Sequence, residues 1–399
     1  MISAPDTVVP EREKRECGPV AIDVFPALVP SGGIGRYVGD LVRAFRDVPG
    51  APAERLVHPG GKSAEAARRF PHARLHGLPF GWRGLRLAYA STIALGIPLD
   101  GWFGDAALVH ATMGVAPVLA RIPLVVTVHD LTAIEHPEWH PAPVSALARA
   151  TLPSAIRRAT TVVCDSEHVR GRVLAAWGGA PERVITVPLA LSPDFVAVDP
   201  VVARGGVARR LGLEGPFVLH VGTWEPRKNH VTLLSAFDAM VRAGFPGRLV
   251  LVGHDGWRSG PIFERLSGIS ARERVLRVTD ADDSLLAALY GTATALAFPS
   301  LDEGFGLPLL EAMAHGCPAV CSDGGSLPEV AGGASRVVPA MDADALADAL
   351  LSMWRDEGAR EAASALGRRR AEHFAFEPWA RRMFRVYAAA HAPNAARPS

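Results

Sequence analysis

Lysine is nearly absent from this chain: Lys14, Lys62 and Lys228 are its only lysines, and arginine supplies almost all the positive charge. Cysteine is scarce as well. Cys17, Cys164, Cys317 and Cys321 are too few and too scattered for a disulfide framework. The close pair Cys317 and Cys321 has no His/Cys pair nearby to complete a zinc set, so all four read as small buried hydrophobes in a reducing compartment. Neither sign of charge is in surplus: 42 Lys+Arg against 41 Asp+Glu leaves a formal +1. That balance argues against a general nucleic-acid binder. No run approaches the roughly 18 apolar residues a membrane span needs. Met1–Glu16 carries a run of charges rather than the apolar core of a signal peptide. The expectation is a cytoplasmic protein, with a place at the inner face of the membrane left open.

What is present is apolar surface and rhythm. The 399 residues are 49% hydrophobic and 21% charged, enough for two or three domains with sizeable cores. Short apolar runs alternate with longer amphipathic stretches, the signature of βα units and parallel sheets. Strands are expected at Val20–Phe25, Ala107–His110, Pro123–His129, Thr160–Cys164 and Arg183–Leu189. Pro49–Gly104, rich in Gly, Pro, His and Arg, gives no clear pattern. The rhythm breaks over Leu191–Gly215, with only a short helix at Val207–Leu211, and restarts with the strand Phe217–Val221. Further strands follow at Arg248–Val252, Arg274–Val278, Ala295–Phe298, Ala319–Cys321 and Ser335–Val338. The fold class is therefore α/β, with two doubly wound, Rossmann-like parallel-sheet domains over 17–195 and 213–375. A last helix over 376–392 stays with the second domain or crosses back to the first.

Ligands of such sheets bind beyond the carboxyl ends of the strands, so candidate motifs are sought in the loops that follow strands. Ser31-Gly32-Gly33-Ile34-Gly35-Arg36 opens a helix after the first strand, where glycines let backbone N–H groups approach a phosphate. A ligand-free tight loop remains the alternative. Gly222-Thr223-Trp224-Glu225-Pro226-Arg227-Lys228-Asn229 ends the strand Phe217–Val221 and sets two cations before a helix N-terminus, which suits a diphosphate. Asp302-Glu303-Gly304-Phe305-Gly306-Leu307-Pro308-Leu309-Leu310-Glu311 is the sharpest segment. Pro308 fits a first helical turn, Gly304 and Gly306 permit close approach, and ionised carboxylates accept hydrogen bonds from vicinal sugar hydroxyls.

These segments together resemble the retaining glycosyltransferases of the GT-B fold, and specifically the large family 4. Glu303 and Glu311 match its Glu-x7-Glu motif, continued by Ala312–Pro318 and by Ser326-Leu327-Pro328-Glu329-Val330. The resemblance implies a metal-independent hexosyltransferase with no cofactor, taking a nucleotide-diphosphate sugar as co-substrate. GDP-mannose leads, UDP- and dTDP-sugars follow, and the acceptor hydroxyl is unassigned. It further implies that Glu311 holds the ribose and Glu303 the donor-sugar hydroxyls. Arg227 and Lys228 would neutralise the diphosphate, which Gly32, Gly33 and Gly35 approach. Backbone groups of Phe305, Gly306 and Leu307 would meet sugar and phosphate, Val278 would meet the base, and His129 would sit near the donor sugar. Thr223 departs from the pattern, since many members carry arginine after the glycine matching Gly222.

Other readings compete. A nucleotide-sugar epimerase of the same fold and a non-catalytic nucleotide-sugar-binding subunit remain alternatives. A phosphorylase of this fold needs a cofactor-bearing lysine, which Lys228 alone hardly supplies. Asp280-Ala281-Asp282 and Asp342-Ala343-Asp344 look like metal motifs but sit where aspartates cap helices. Of His129, His136 and His140 only the last two have an i,i+4 spacing, and Pro137 and Pro141 interrupt any helix there, so no metal site is expected. Arg68, Arg69, Arg74, Arg83 and Arg86 with Phe80, Trp82, Leu85 and Leu87 read as a solvated face or acceptor-side lining. A peripheral membrane contact is the other option.

Overall fold

The computed structural model describes residues 18–29, 32–195 and 200–392; Cys17 and Ser31 lie outside them. Two parallel sheets organise the chain. The first contains β1 (Val20–Asp23), β2 (Glu54–His58), β3 (Leu75–Gly77), β4 (Leu108–Ala111), β5 (Leu124–Val128), β6 (Thr161–Cys164) and β7 (Val184–Thr186). Its order is β3-β2-β1-β4-β5-β6-β7. The second contains β8 (Phe217–Val221), β9 (Arg248–Val252), β10 (Val275–Val278), β11 (Ala295–Phe298), β12 (Ala319–Ser322) and β13 (Arg336–Val338), in the order β10-β9-β8-β11-β12-β13. β4, β5, β11 and β12 are buried along their whole length. They read as unbroken apolar runs because helices cover both faces of a parallel sheet. In each sheet the order reverses beside its first strand, between β1 and β4 and between β8 and β11, and there a crevice opens at the carboxyl ends.

The chain divides into two compact units, one of residues 1–134, 142–189 and 377–399 and one of 135–141 and 190–376. These bounds differ from the expected 17–195 and 213–375. Residues 135–141 group with the second unit because Trp257 Nε1 donates to Trp139 O at 2.6 Å and Arg258 donates to Glu138 O. The last helix, Phe376–His391, belongs to the first unit from Glu377 on. Its Tyr387 meets His110 Nδ1 at 3.0 Å, His110 Nε2 meets Thr127 Oγ1 at 2.8 Å, and Thr127 Oγ1 meets Tyr37 Oη at 3.0 Å. A buried polar chain thus ties the C-terminal helix to β4, β5 and the helix Gly32–Asp47.

The unclear stretch 49–104 holds two strands and the helices Ser63–Arg69 and Trp82–Leu95. The supposed break near 205 is the helix Pro200–Leu211. Ala203 and Val207 are fully buried on it, and Arg210 pairs with both oxygens of Asp282 at 3.0 Å. Burial of that face overrides the poor helix propensity of Gly205 and Gly206. A helix at Glu357–Ala371, unread in the sequence, backs the helix Leu307–Ala314. Its Gly367 lies where a Cβ would meet Met313 at 3.3 Å, and Arg368 donates to His315 O at 3.1 Å.

Candidate active site

The second unit builds its crevice from the loops after β8 and β11. Pro226–Lys228 forms one tight 3-10 turn, and Asn229 takes a left-handed conformation (φ 55°) to start the next helix. Asn229 is held there because its side-chain amide donates to Pro299 O at 3.0 Å and Ala340 O at 2.7 Å. Leu301 N–H donates to Arg227 O at 2.8 Å and joins the two loops. The turn carries Arg227 and Lys228 onto Glu303. Lys228 Nζ lies 2.5 Å from Glu303 Oε1, and an Arg227 amine lies 2.6 Å from Oε2. Arg227 also donates to Asp302 O and, at 3.0 Å, to Glu225.

This cluster is buried, and burial dominates its electrostatics. Desolvation alone would raise the Glu303 carboxyl, but Arg227 and then Lys228 outweigh it and hold it at about 2. Burial and the neighbouring Arg227 push Lys228 down, and Glu303 opposes them. Behind it, burial pushes His220 to about 4 and His230 well below the usual range, so both rings are neutral. Two adjacent cations therefore share Glu303, with Glu225 a second carboxylate on Arg227, and a bound anion can enter by displacing Glu303.

The loop carrying Glu303 is latched from the side. Ser326 donates through its N–H to Glu303 O at 2.9 Å and through its hydroxyl to Glu303 O and Phe305 O at 3.0 Å. Gly325 (φ 65°) allows this, because a Cβ there would lie 2.3 Å from Glu303 O. Gly306 (φ 98°) starts the helix Leu307–Ala314, on which Glu311 is buried and accepts from Tyr290 Oη at 3.0 Å. Phe305 packs edge-on against Phe374. Val278 ends β10, and its carbonyl accepts Gly253 N–H at 2.9 Å. Glu225, Ser326 and Tyr290 were not singled out as supports in the sequence. Ser326 and Glu225 were legible in principle, since both stand in loops beyond strands.

The remaining candidates belong to the first unit. Gly32, at φ 56°, and Gly33 and Gly35 form the first turn of the helix Gly32–Asp47. His129 follows β5 directly. Its Nδ1 lies 2.6 Å from Asp165 Oδ2 and its Nε2 lies 2.8 Å from Thr112 O. Tyr37, from the glycine-led helix, packs edge-on over the ring at 5.0 Å. A carbonyl only accepts, so Nε2 carries a proton. Burial pushes His129 down, but Asp165 outweighs it and the ring is held above its usual value. Asp165, at the end of β6, was not foreseen. A small cavity beyond β1 and β4 is lined by Asp23, Trp82, Tyr89 and Phe103. Burial raises the Asp23 carboxyl to about 6.

Asp282 caps the helix Asp283–Thr292 through Leu285 N–H, and Asp342 caps the helix Ala343–Arg355 through Ala345 N–H. His136 stacks on Trp139 and meets Glu138, while His140 lies beside Trp257. Cys164, Cys317 and Cys321 are free and buried, and burial lifts the thiols of Cys317 and Cys321 to about 12. Among the described residues no helix is long and apolar enough to cross a membrane.

Comparison with known proteins agrees with this geometry. Residues 215–356 match the family Glycosyl transferases group 1, and residues 31–195 match Glycosyltransferase Family 4. O-antigen chain mannosyltransferase B of Escherichia coli is 32% identical over 257 residues, covering 63% of this chain and 67% of that protein. The serotype-specific mannosyltransferase WbdA of Escherichia coli is 31% identical over 206 residues, 49% of this chain but 25% of that longer protein. Among solved structures, Anabaena HepE in complex with UDP and glucose superimposes with a TM-score of 0.73 at 18% identity, over 93% of this chain and 99% of that one. The chain belongs to the group 1 glycosyltransferases, enzymes built on the GT-B pair of parallel-sheet domains.

Proposed function

We propose that this enzyme moves a mannosyl group from GDP-mannose to a hydroxyl of a glycan acceptor, with retention at the anomeric carbon and without a metal. The observation that carries the reading is the buried pair Arg227 and Lys228, closing on Glu303 at the crevice between β8 and β11. As the sugar–phosphate bond breaks, negative charge grows on the departing diphosphate. Arg227 and Lys228 stabilise it in a desolvated site, where a single preorganised donor contributes roughly 3–4 kcal/mol. Glu303, released from the cations, accepts hydroxyl hydrogen bonds from the donor sugar. Glu311 accepts from the ribose hydroxyls, oriented by Tyr290.

Mannose as the sugar is supported by the two mannosyltransferase relatives, and retention by the likeness of the Glu303–Glu311 segment to the retaining family. Transfer without a metal is supported by the supply of positive charge from the two side chains. We place the reaction in the cytoplasm, where the free thiols stay reduced.

Thermal unfolding with GDP, UDP and dTDP, followed by transfer assays from GDP-mannose with EDTA present, tests the reading. A nucleotide at 100 times its dissociation constant adds about 2.7 kcal/mol of stability. GDP is expected to raise the midpoint most, and turnover is expected to survive the chelator. A shift with UDP alone overturns the donor assignment. Loss of turnover restored by Mn²⁺ overturns the metal-free reading.

A further inference from the structure

Two carboxylates hold Arg227, and they reach it by different routes. Glu303 comes from the loop after β11, 76 residues further along the chain, and meets one Arg227 amine at 2.6 Å. Glu225 stands two residues before Arg227, and its Oε1 accepts from the other amine at 3.0 Å. Among the described residues no other side chain donates to Glu225. A further contact of Arg227, to Asp302 O at 3.0 Å, again belongs to the Glu303 loop.

The backbone sets Glu225 in place before any ligand arrives. A residue that precedes proline is confined to extended conformations, and Glu225 before Pro226 has φ −138° and ψ 159°. Its N–H donates to Thr223 O at 2.9 Å, and its carbonyl accepts from Lys228 N–H at 3.2 Å. Trp224 beside it is fully buried, and its N–H donates to His254 O at 3.0 Å, which ties the turn to the loop after β9. Glu225 is itself buried. The Glu225–Arg227 pair is thus internal to one stiff turn, whereas the Glu303 contact depends on a separate loop. When Glu303 turns from the cations to a donor sugar, Glu225 stays.

We propose that Glu225 is a positioning residue: it keeps the Arg227 guanidinium in place when Glu303 leaves, so that the diphosphate meets a cation already aimed. This rests on the donor reading of the same crevice. Glu225 acts only through Arg227. Because Arg227 answers charge that grows as the sugar–phosphate bond breaks, its misplacement lowers kcat more than it changes the donor KM.

Turnover of the nucleotide sugar by the full chain, with calorimetric titration of GDP and UDP, tests the assignment. Two substitutions separate reach from charge. Glu225→Gln keeps an oxygen where Oε1 stands, and is expected to lose no more than about fivefold in turnover. Glu225→Asp keeps the charge but is one methylene short, and is expected to lower kcat by about 10- to 100-fold. In an Arg227→Ala background Glu225→Asp is expected to cost nothing more, because its partner is gone. Turnover that Glu225→Asp leaves at the wild-type level, or that Glu225→Gln lowers as far as Glu225→Asp does, overturns the proposal. So does a loss that persists undiminished in the Arg227→Ala background, the result a purely structural role would give. Nucleotide affinity that neither Arg227→Ala nor Lys228→Ala lowers overturns the donor reading and the proposal with it, which sets that failure apart from failure at Glu225 alone.

Discussion

Replacing Glu303 by glutamine keeps the shape of the side chain and removes the charge that two buried cations share. Lys228 at 2.5 Å and Arg227 at 2.6 Å would be left without their common counter-ion. Deleting one partner of a buried ion pair costs about 3–5 kcal/mol. Linkage gives a similar size independently. The Glu303 carboxyl sits at about 2 against an ordinary 4.5, and that displacement corresponds to about 3 kcal/mol. Because the folded-state value is depressed, this stability is fully present above 4.5 and is lost as the pH falls towards 2. For a unit of this size each kcal/mol moves the midpoint by about 2–4 °C, so Glu303→Gln should unfold about 10 °C below the wild type at pH 7. The gap should narrow as the pH drops below 4.5. A nucleoside diphosphate supplies the missing negative charge, so GDP should raise the midpoint of Glu303→Gln more than that of the wild type. Scanning calorimetry with and without GDP measures all three effects. A midpoint within about 1 °C of wild type at pH 7, or a smaller rise with GDP in the variant, would refute the shared-counter-ion argument.

Three further outcomes follow from the geometry. His129→Ala should lower turnover by roughly 10²-fold or more and also destabilise the first unit, since it strands the buried Asp165. Asp165→Asn, which leaves the ring in place, should lower the titration point of His129 in an NMR pH series; an unmoved ring would show that Asp165 does not control its charge. Gly306→Ala should cost about 1–3 kcal/mol, because φ is 98° and the new Cβ would lie 2.6 Å from a Leu327 methyl group. An unchanged melting curve would mean that the loop relaxes freely.

The strands of the second sheet were legible because each is a short run rich in apolar residues followed by a helix, and the central β11 and β12 are buried on both faces. β8, β9 and β11 fall where the pattern puts them. The cation pair and the two glutamates were legible for a related reason: parallel sheets put their chemistry in loops after strands, and those loops carry unusual residues at short range. Three features were not. Gly205-Gly206 reads as a break, yet Ala203 and Val207 bury that face against the helix Asp283–Thr292, and packing outweighs local propensity. Trp82 and Leu85 look like surface companions of Arg83 and Arg86 until the helix phase turns them to the core. Asp165 stands far from His129 in the chain, and only the adjacency of β5 and β6 places its carboxylate on the ring. Short-range patterns establish which segments become strands, helices and glycine-led loops, because those depend on neighbours within a few residues. Which charges neutralise one another depends on strand order and burial, and a linear sequence states neither.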